Sequence, residues 1–172
     1  LNNESNPQRI PTPAQSGITA STSETYWNGG ISAWAIDLVK QGYYVETLPR
    51  TGGLISYGNP NNDQDLSNYK VFIVTEPNSQ FTMAEKDAII NFVKNGGGLY
   101  MIADHDNSDR NGDGWDSPAI WNDLVSTNSV VANPFGITFD VVSFSQTTTN
   151  FANIPSNNIL NGSAGTPRAM QF

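Results

Sequence analysis

The run GGGLYMIADHDNSDRNGDGWD, residues 96–116, decides how this chain reads. Three glycines open it, and the apolar run Leu99 to Ala103 follows. It then breaks into five aspartates within thirteen residues: Asp104, Asp106, Asp109, Asp113 and Asp116. The only histidine of the chain, His105, sits among them. A short apolar run bounded by Gly and by Asp/Asn predicts a buried strand feeding a polar loop. In open α/β sheets, ligands bind where loops leave the carboxyl ends of strands. The stretch therefore marks the expected functional site.

Immediately upstream, Thr82 opens the clearest helical pattern. Thr82 and Glu85 have the spacing of a capping box, in which hydroxyl and carboxylate each satisfy an otherwise free amide. Ala84, Ala88, Ile89, Phe92 and Val93 form the expected apolar stripe, and Asn95 and Gly96 end it. Before it lies VFIVT (71–75), apolar on both faces as a central parallel strand would be. Downstream, Ser117 reads as an N-cap with Pro118 at the first helical position. The helix Ala119 to Val125 is expected to bury Ile120, Trp121, Leu124 and Val125.

Further out, Ile31, Trp34, Ala35, Leu38 and Val39 recur at helical spacing, and Gly42 reads as the C-terminal stop. Residues 43–48 (YYVETL) and 137–144 (ITFDVVSF) are strand candidates. The helix at 31–41 lacks a convincing strand before it. Residues 8–12 or 17–20 would have to serve, and Pro11 and Pro13 argue against a central strand there. The expected organisation is an irregular arm over 1–25, an α/β domain over 26–145, and a polar extension over 146–172 packed on or beside that domain. Alternating strands and helices imply a mostly parallel sheet with helices on both faces.

Composition narrows the function. The chain has 172 residues and a net charge of −8. Such a charge repels nucleic acid and anionic membranes unless a cation intervenes. No run approaches the ~20 apolar residues of a membrane span. There is no cysteine, which excludes disulfides and thiol chemistry. No signal-peptide pattern is present and the first residue is Leu1, so the chain reads as a mature or trimmed product. Abundant Asn, Ser and Thr favour a secreted bacterial protein.

The pieces YWNGGISAWAIDLVKQGYYVETL, LSNYKVFIVTEPN, FTMAEKDAIINFVKNGGGLYMIADH and DRNGDGWDSPAIWNDL, which span Trp27 to Asp123 and overrun it by one residue at each end, carry a family resemblance. This segment resembles class I glutamine amidotransferase-like domains of the bacterial, often secreted kind. The resemblance implies a flavodoxin-like three-layer α/β/α sandwich. Active members place a cysteine nucleophile on the turn that Asp104, His105 and Asp106 occupy here. Without cysteine, glutamine hydrolysis by the thiol route is impossible, so the resemblance supplies a fold and not an activity.

The acidic loop has chemistry of its own. Asp109, Asn111, Asp113 and Gly114 fit the D-x-[DN]-x-[DN]-G pattern of calcium loops. Alternate residues of such a loop turn oxygens inward, and glycine at the sixth place allows the sharp turn. Trp115 occupies the seventh place, where a backbone carbonyl is the ligand. The twelfth place is Ile120, so the bidentate Glu of an EF-hand is missing. Asp116, or Asp104 and Asp106 folding back, would complete the shell. Two like charges ~4 Å apart cost about 4 kcal/mol at a protein-surface dielectric. A hard cation relieves that repulsion, and oxygen ligands favour Ca²⁺.

These readings lead to a catalytically degenerate amidotransferase-like module that binds Ca²⁺ through Asp104, Asp106, Asp109, Asn111, Asp113, Trp115 and Asp116. Carbohydrate or another extracellular protein is the expected ligand. Tyr26, Trp27 and Trp115 are candidates for stacking on sugar rings. The rival is a metal-dependent hydrolase of a polysaccharide or ester, with Asp104, His105 and Asp106 at its site and Glu76 in support. A third reading is a self-associating subunit of an extracellular assembly.

Overall fold

The computed structural model describes residues 18–26, 31–48 and 53–142, and the backbone of two short strands beyond them. The elements in chain order are α1 (Ser32–Lys40), a 3₁₀ turn (Leu66–Asn68), β1 (Val71–Thr75), α2 (Met83–Lys94), β2 (Gly98–Ile102), α3 (Ser117–Thr127), β3 (Thr147–Thr148) and β4 (Met170–Gln171). Contacts divide the chain into two compact units, Leu1–Asp140 and Val141–Phe172. In the second unit, β3 and β4 pair antiparallel, Thr147 with Gln171 and Thr148 with Met170.

In the first unit, β1 and β2 pair in parallel register from Val71–Gly98 to Thr75–Ile102, joined through α2. This is a β-α-β unit, and it makes the protein a mixed helix/strand fold with a parallel ladder. The capping box forms as the sequence demands: Thr82 Oγ1 accepts from Glu85 N, and Glu85 Oε2 accepts from Thr82 N at 2.8 Å. At the other end of α2, Gly96 N donates to Val93 O and Gly97 N to Phe92 O. Gly96 has φ +95°, the left-handed conformation that closes a Schellman cap. The next glycine is required for a different reason. A Cβ on Gly97 would lie 2.3 Å from the Phe92 ring. Two of the three consecutive glycines thus have separate physical causes, turn conformation and close packing.

The main core gathers Leu66, Ile89, Ile90, Phe92, Trp121, Leu124 and Val125, with Phe72, Val74, Leu99 and Met101 packed against it from the sheet. Ile90 belongs to this core although the expected stripe omitted it, and Ala84 of that stripe is exposed. Strand alternation turns Tyr100 away from Leu99 and Met101. On that side Trp34 of α1 meets the Tyr100 ring edge-on, centroids 5.6 Å apart. A smaller cluster there buries Ala35 and Ile36 against Ile18, Val39 and Val45. Ile36, fully buried, lay outside the apolar face expected for α1. Gly42, φ +93°, ends α1 with Tyr43 N donating to Leu38 O.

Two strand candidates are not strands among the described residues, for a shared reason. At 43–48, Gln64 Nε2 donates to Thr47 O at 3.3 Å and to Glu46 Oε2 at 3.1 Å, and the Tyr44 and Tyr69 hydroxyls donate to Glu46. Near Ile137, the Asn122 side chain accepts from Phe139 N at 2.8 Å and donates to Phe139 O at 2.9 Å. At Thr47 O and at Phe139, side-chain amides meet backbone groups that a neighbouring strand would otherwise meet. Of the candidates for a first strand, 8–12 lies outside the described residues, and the described part of 17–20 forms a turn. Val71 is 56% exposed, more than a fully covered central strand would show.

A second polar centre lies before β1. Asp65 is 1% exposed, and its carboxylate accepts from Ser56 Oγ, Gly58 N, Asn59 N, Ser67 N and Ser67 Oγ at 2.5–3.0 Å. Burial alone would raise its pKa. The hydroxyls of Ser56 and Ser67 and the amides of Asn59 and Ser67 outweigh that and hold it well below the carboxylate range. Between the helices, Lys86 Nζ lies 2.6 Å from Asp123 Oδ2 and donates to Thr127 Oγ1 at 2.7 Å. Among the described residues no buried side-chain nitrogen or oxygen lacks a partner.

Candidate functional site

The acidic loop leaves the carboxyl end of β2 beside the exit of β1. One carbonyl fixes this junction: Ile102 O accepts from Glu76 N at 3.0 Å and from Trp121 Nε1 at 3.1 Å. Trp121 is fully buried between Phe81 and Phe139, so α3 is anchored directly beneath the loop. Glu76 has φ +44°, an uncommon conformation for a residue with a side chain. Its carboxylate meets Arg110 Nη2 at 2.8 Å, and the same nitrogen reaches Asp104 Oδ2 at 3.2 Å. Arg110 therefore brackets the two strand ends.

The cap of α3 sits one residue earlier than the sequence pattern suggests. Asp116, not Ser117, is the N-cap: its Oδ1 accepts from Ala119 N at 3.0 Å and its Oδ2 from Asn107 N at 2.9 Å. Ser117 is buried, and its hydroxyl accepts from Asp104 N at 2.8 Å. The shift follows from donor supply, because a carboxylate serves two amides at once while the hydroxyl ties down the strand end.

Within the calcium-like pattern, Asp109 organises the turn. Its Oδ1 accepts from Gly112 N at 2.8 Å and Asp113 N at 3.2 Å, and its Oδ2 from Gly114 N at 2.7 Å. Gly112 and Gly114 have φ +73° and +88°, which lets successive amides converge on one carboxylate. These bonds, that from Gly114 foremost, lower the Asp109 pKa. Asp113 Oδ1 accepts from Trp115 N, and Asp113 Oδ2 from Asn111 Nδ2, both at 2.9 Å. Asn111 Nδ2 also donates to Asn78 O and, at 3.3 Å, to Ser79 Oγ, which braces the loop on the exit of β1.

His105 stands at the rim with its side chain 59% exposed. Its Nδ1 lies 2.6 Å from Asp106 O, and its Nε2 lies 3.8 Å from Asp104 Oδ1. The bond to the Asp106 carbonyl, followed by the Asp104 charge, raises its pKa. Asp106 Oδ2 accepts from Asn107 Nδ2 at 2.8 Å. The structure thus brings Asp104, His105 and Asp106 to one strand end, with Glu76 joined to them through Arg110. Asp109, Asn111 and Asp113 form a separate curl, and Trp115 enters it through its backbone. Trp27 lies outside the described residues. Sequence reasoning missed the bracing role of Asn78 and Ser79, for which no local signal exists, and the Ser117 bond to Asp104.

Among the described residues, no three His, Asp or Glu side chains are grouped closely enough to hold a metal ion. The expected crowding of carboxylates is met instead by backbone amides and Arg110. In donor type, the carboxylates of Asp109 and Asp113, the Asn111 amide and the Trp115 carbonyl fit a hard cation. In the arrangement seen, Asn111 presents its nitrogen to Asp113, so ligation requires that amide to turn over. No family model, no curated protein and no solved structure matches this chain. Among the described residues no helix is long and apolar enough to cross a membrane.

Proposed function

We propose that this chain is an extracellular α/β module that binds Ca²⁺ in the acidic loop and presents that loop to a carbohydrate or protein partner. The observation that carries the reading is the curl at Asp109. Glycines at the fourth and sixth places take positive φ, and three amides converge on the first-place carboxylate. Asp109, Asn111, Asp113 and the Trp115 carbonyl would hold the ion, and Asp104, Asp106 and Asp116 flank it. The ion would supply charge neutralisation and fix the loop for binding. A flavodoxin-like three-layer sandwich of the amidotransferase-like type belongs to this proposal. Its support is that α2 and α3 pack on one face of β1 and β2 while Trp34 of α1 meets Tyr100 on the other. Isothermal calorimetry with Ca²⁺ tests the metal claim. A saturable heat, lost in Asp109→Asn and Asp113→Asn, supports it, and no heat ends it.

One observation favours the rival hydrolase reading: His105 is exposed beside Asp104, at the junction where Glu76 takes its strained backbone. A screen of chromogenic glycosides, esters and phosphoesters, with and without EDTA, separates the two. Turnover lost in His105→Ala would replace the binding-module reading.

A further inference from the structure

Asn111–Gly112 is one of four Asn–Gly steps in the chain, and with Asn95–Gly96 one of two within the described residues. At such a step the glycine nitrogen, unshielded by a side chain, can attack the asparagine Cγ. A bond forms between Gly112 N and Asn111 Cγ, and the Cγ–Nδ2 bond breaks. The amide proton passes to the departing nitrogen, which leaves as ammonia. Water then opens the succinimide at either carbonyl, giving aspartate or isoaspartate at position 111.

We propose that Asn111 is a latent deamidation site, held closed by Asp109 and positioned so that its modification removes the loop's tie to Asn78 and Ser79 and loosens the curl. Both reacting groups are engaged. The attacking Gly112 N–H donates to Asp109 Oδ1 at 2.8 Å. The leaving Nδ2 is held by Asn78 O, Ser79 Oγ and Asp113 Oδ2. Attack requires the first bond to break and the side chain to rotate out of the others. The step is exposed, so water reaches it once the curl opens. The product has a directed consequence. A carboxylate at 111 donates no hydrogen bond, and it would face the acceptors Asn78 O and Asp113 Oδ2 with a negative charge. The same Nδ2 that ties loop to strand end is the atom that leaves, so the change is one-way. Asn95 provides an internal reference: its Nδ2 donates to Asn91 O at 2.7 Å and Gly96 N to Val93 O, with no part taken by Asp109.

The test is mass spectrometry of tryptic peptides from the intact chain, aged at neutral pH in EDTA, with isoaspartate scored at both sites. Asp109→Ala is expected to deamidate at Asn111 severalfold faster than the wild type, with Asn95 unchanged. Far-ultraviolet circular dichroism shows whether the variant is folded. If it is not, Asp109→Asn, which keeps the shape but weakens the acceptor, is expected to lie between the two. Equal or slower loss at Asn111 in the folded variants would overturn the proposal. So would acceleration of Asn95 and Asn111 alike, which would show general loosening. An independent arm ages the wild type to aspartate at 111 and follows amide exchange at Gly112 and Gly114. Faster exchange is expected, and unchanged protection would refute the loosening.

Discussion

Two loops in this protein are each built around an aspartate that collects amide donors, and they differ in what surrounds the carboxylate. Asp65 is 1% exposed and takes two hydroxyls and three amides. Asp109 takes three amides at the surface. The chemistry is the same and the obligation is not. The bonds to Asp65 are part-buried, so its donors meet less water when the carboxylate is removed. The donors to Asp109, on Gly112, Asp113 and Gly114, are exposed and have water to turn to. The Asp65 loop is therefore a structural joint before β1, and the Asp109 loop is free to exchange one set of partners for another.

Removing each carboxylate sharpens this contrast most. Asp65→Ala removes the shared acceptor of five part-buried hydrogen bonds, so we expect a loss of about 1–3 kcal/mol by urea denaturation. Asp109→Ala should leave the midpoint near that of the wild type. Equal losses in the two variants would break the comparison. The pH dependence follows from the lowered Asp65 pKa. A depressed carboxylate contributes stability that is present above the unfolded value of about 3.9 and is lost as pH falls below it. The wild type should weaken steeply on acidification below about pH 4, and Asp65→Asn should show a flatter acid limb.

The glycine pair before β2 comes next. Gly97→Ala places a Cβ on the Phe92 ring and is expected to cost about 1–3 kcal/mol through overpacking. Phe92→Leu in the same chain should recover part of that loss, and no recovery would show that backbone conformation, not packing, is the cause.

The smallest effect is at the loop rim. His105, the only histidine, is expected to titrate above its ordinary value of 6.5 in a proton NMR series. A raised histidine favours the folded state below its unfolded pKa and loses that contribution as pH rises through its folded one. Asp104→Asn should lower the midpoint, because it removes the negative charge that does most to hold the proton.

What the sequence made legible was local. The capping box at Thr82 and Glu85, the Gly42 and Gly96 stops and the buried face of α3 all depend on residues within a turn of one another. The strand after the glycines and its acidic exit were legible because glycines and aspartates bound a short apolar run, although it spans Gly98–Ile102 instead of Leu99–Ala103 and none of its residues is fully buried. What escaped was set by distant partners. Asn122 reaches 17 residues along to occupy the backbone of Phe139, so an apolar stretch that reads as a strand has no ladder over its described residues. Asn78 meets Asn111 across 33 residues. Asp65 looked like one of several acidic loop residues, because nothing in its neighbours shows that it is buried. In the sequence the aspartates of the acidic loop read as a crowd needing a cation. In the structure, glycine-enabled amides satisfy Asp109, and a cation would have to compete with them for those oxygens.

That competition can be watched directly at the amides of Gly112, Asp113 and Gly114. In a nitrogen–proton NMR titration with Ca²⁺, saturable shifts are expected at these three and within 104–116, with the amides bonded to Asp65 unmoved. Amide signals of the acidic loop that stay in place up to millimolar Ca²⁺ would contradict the account.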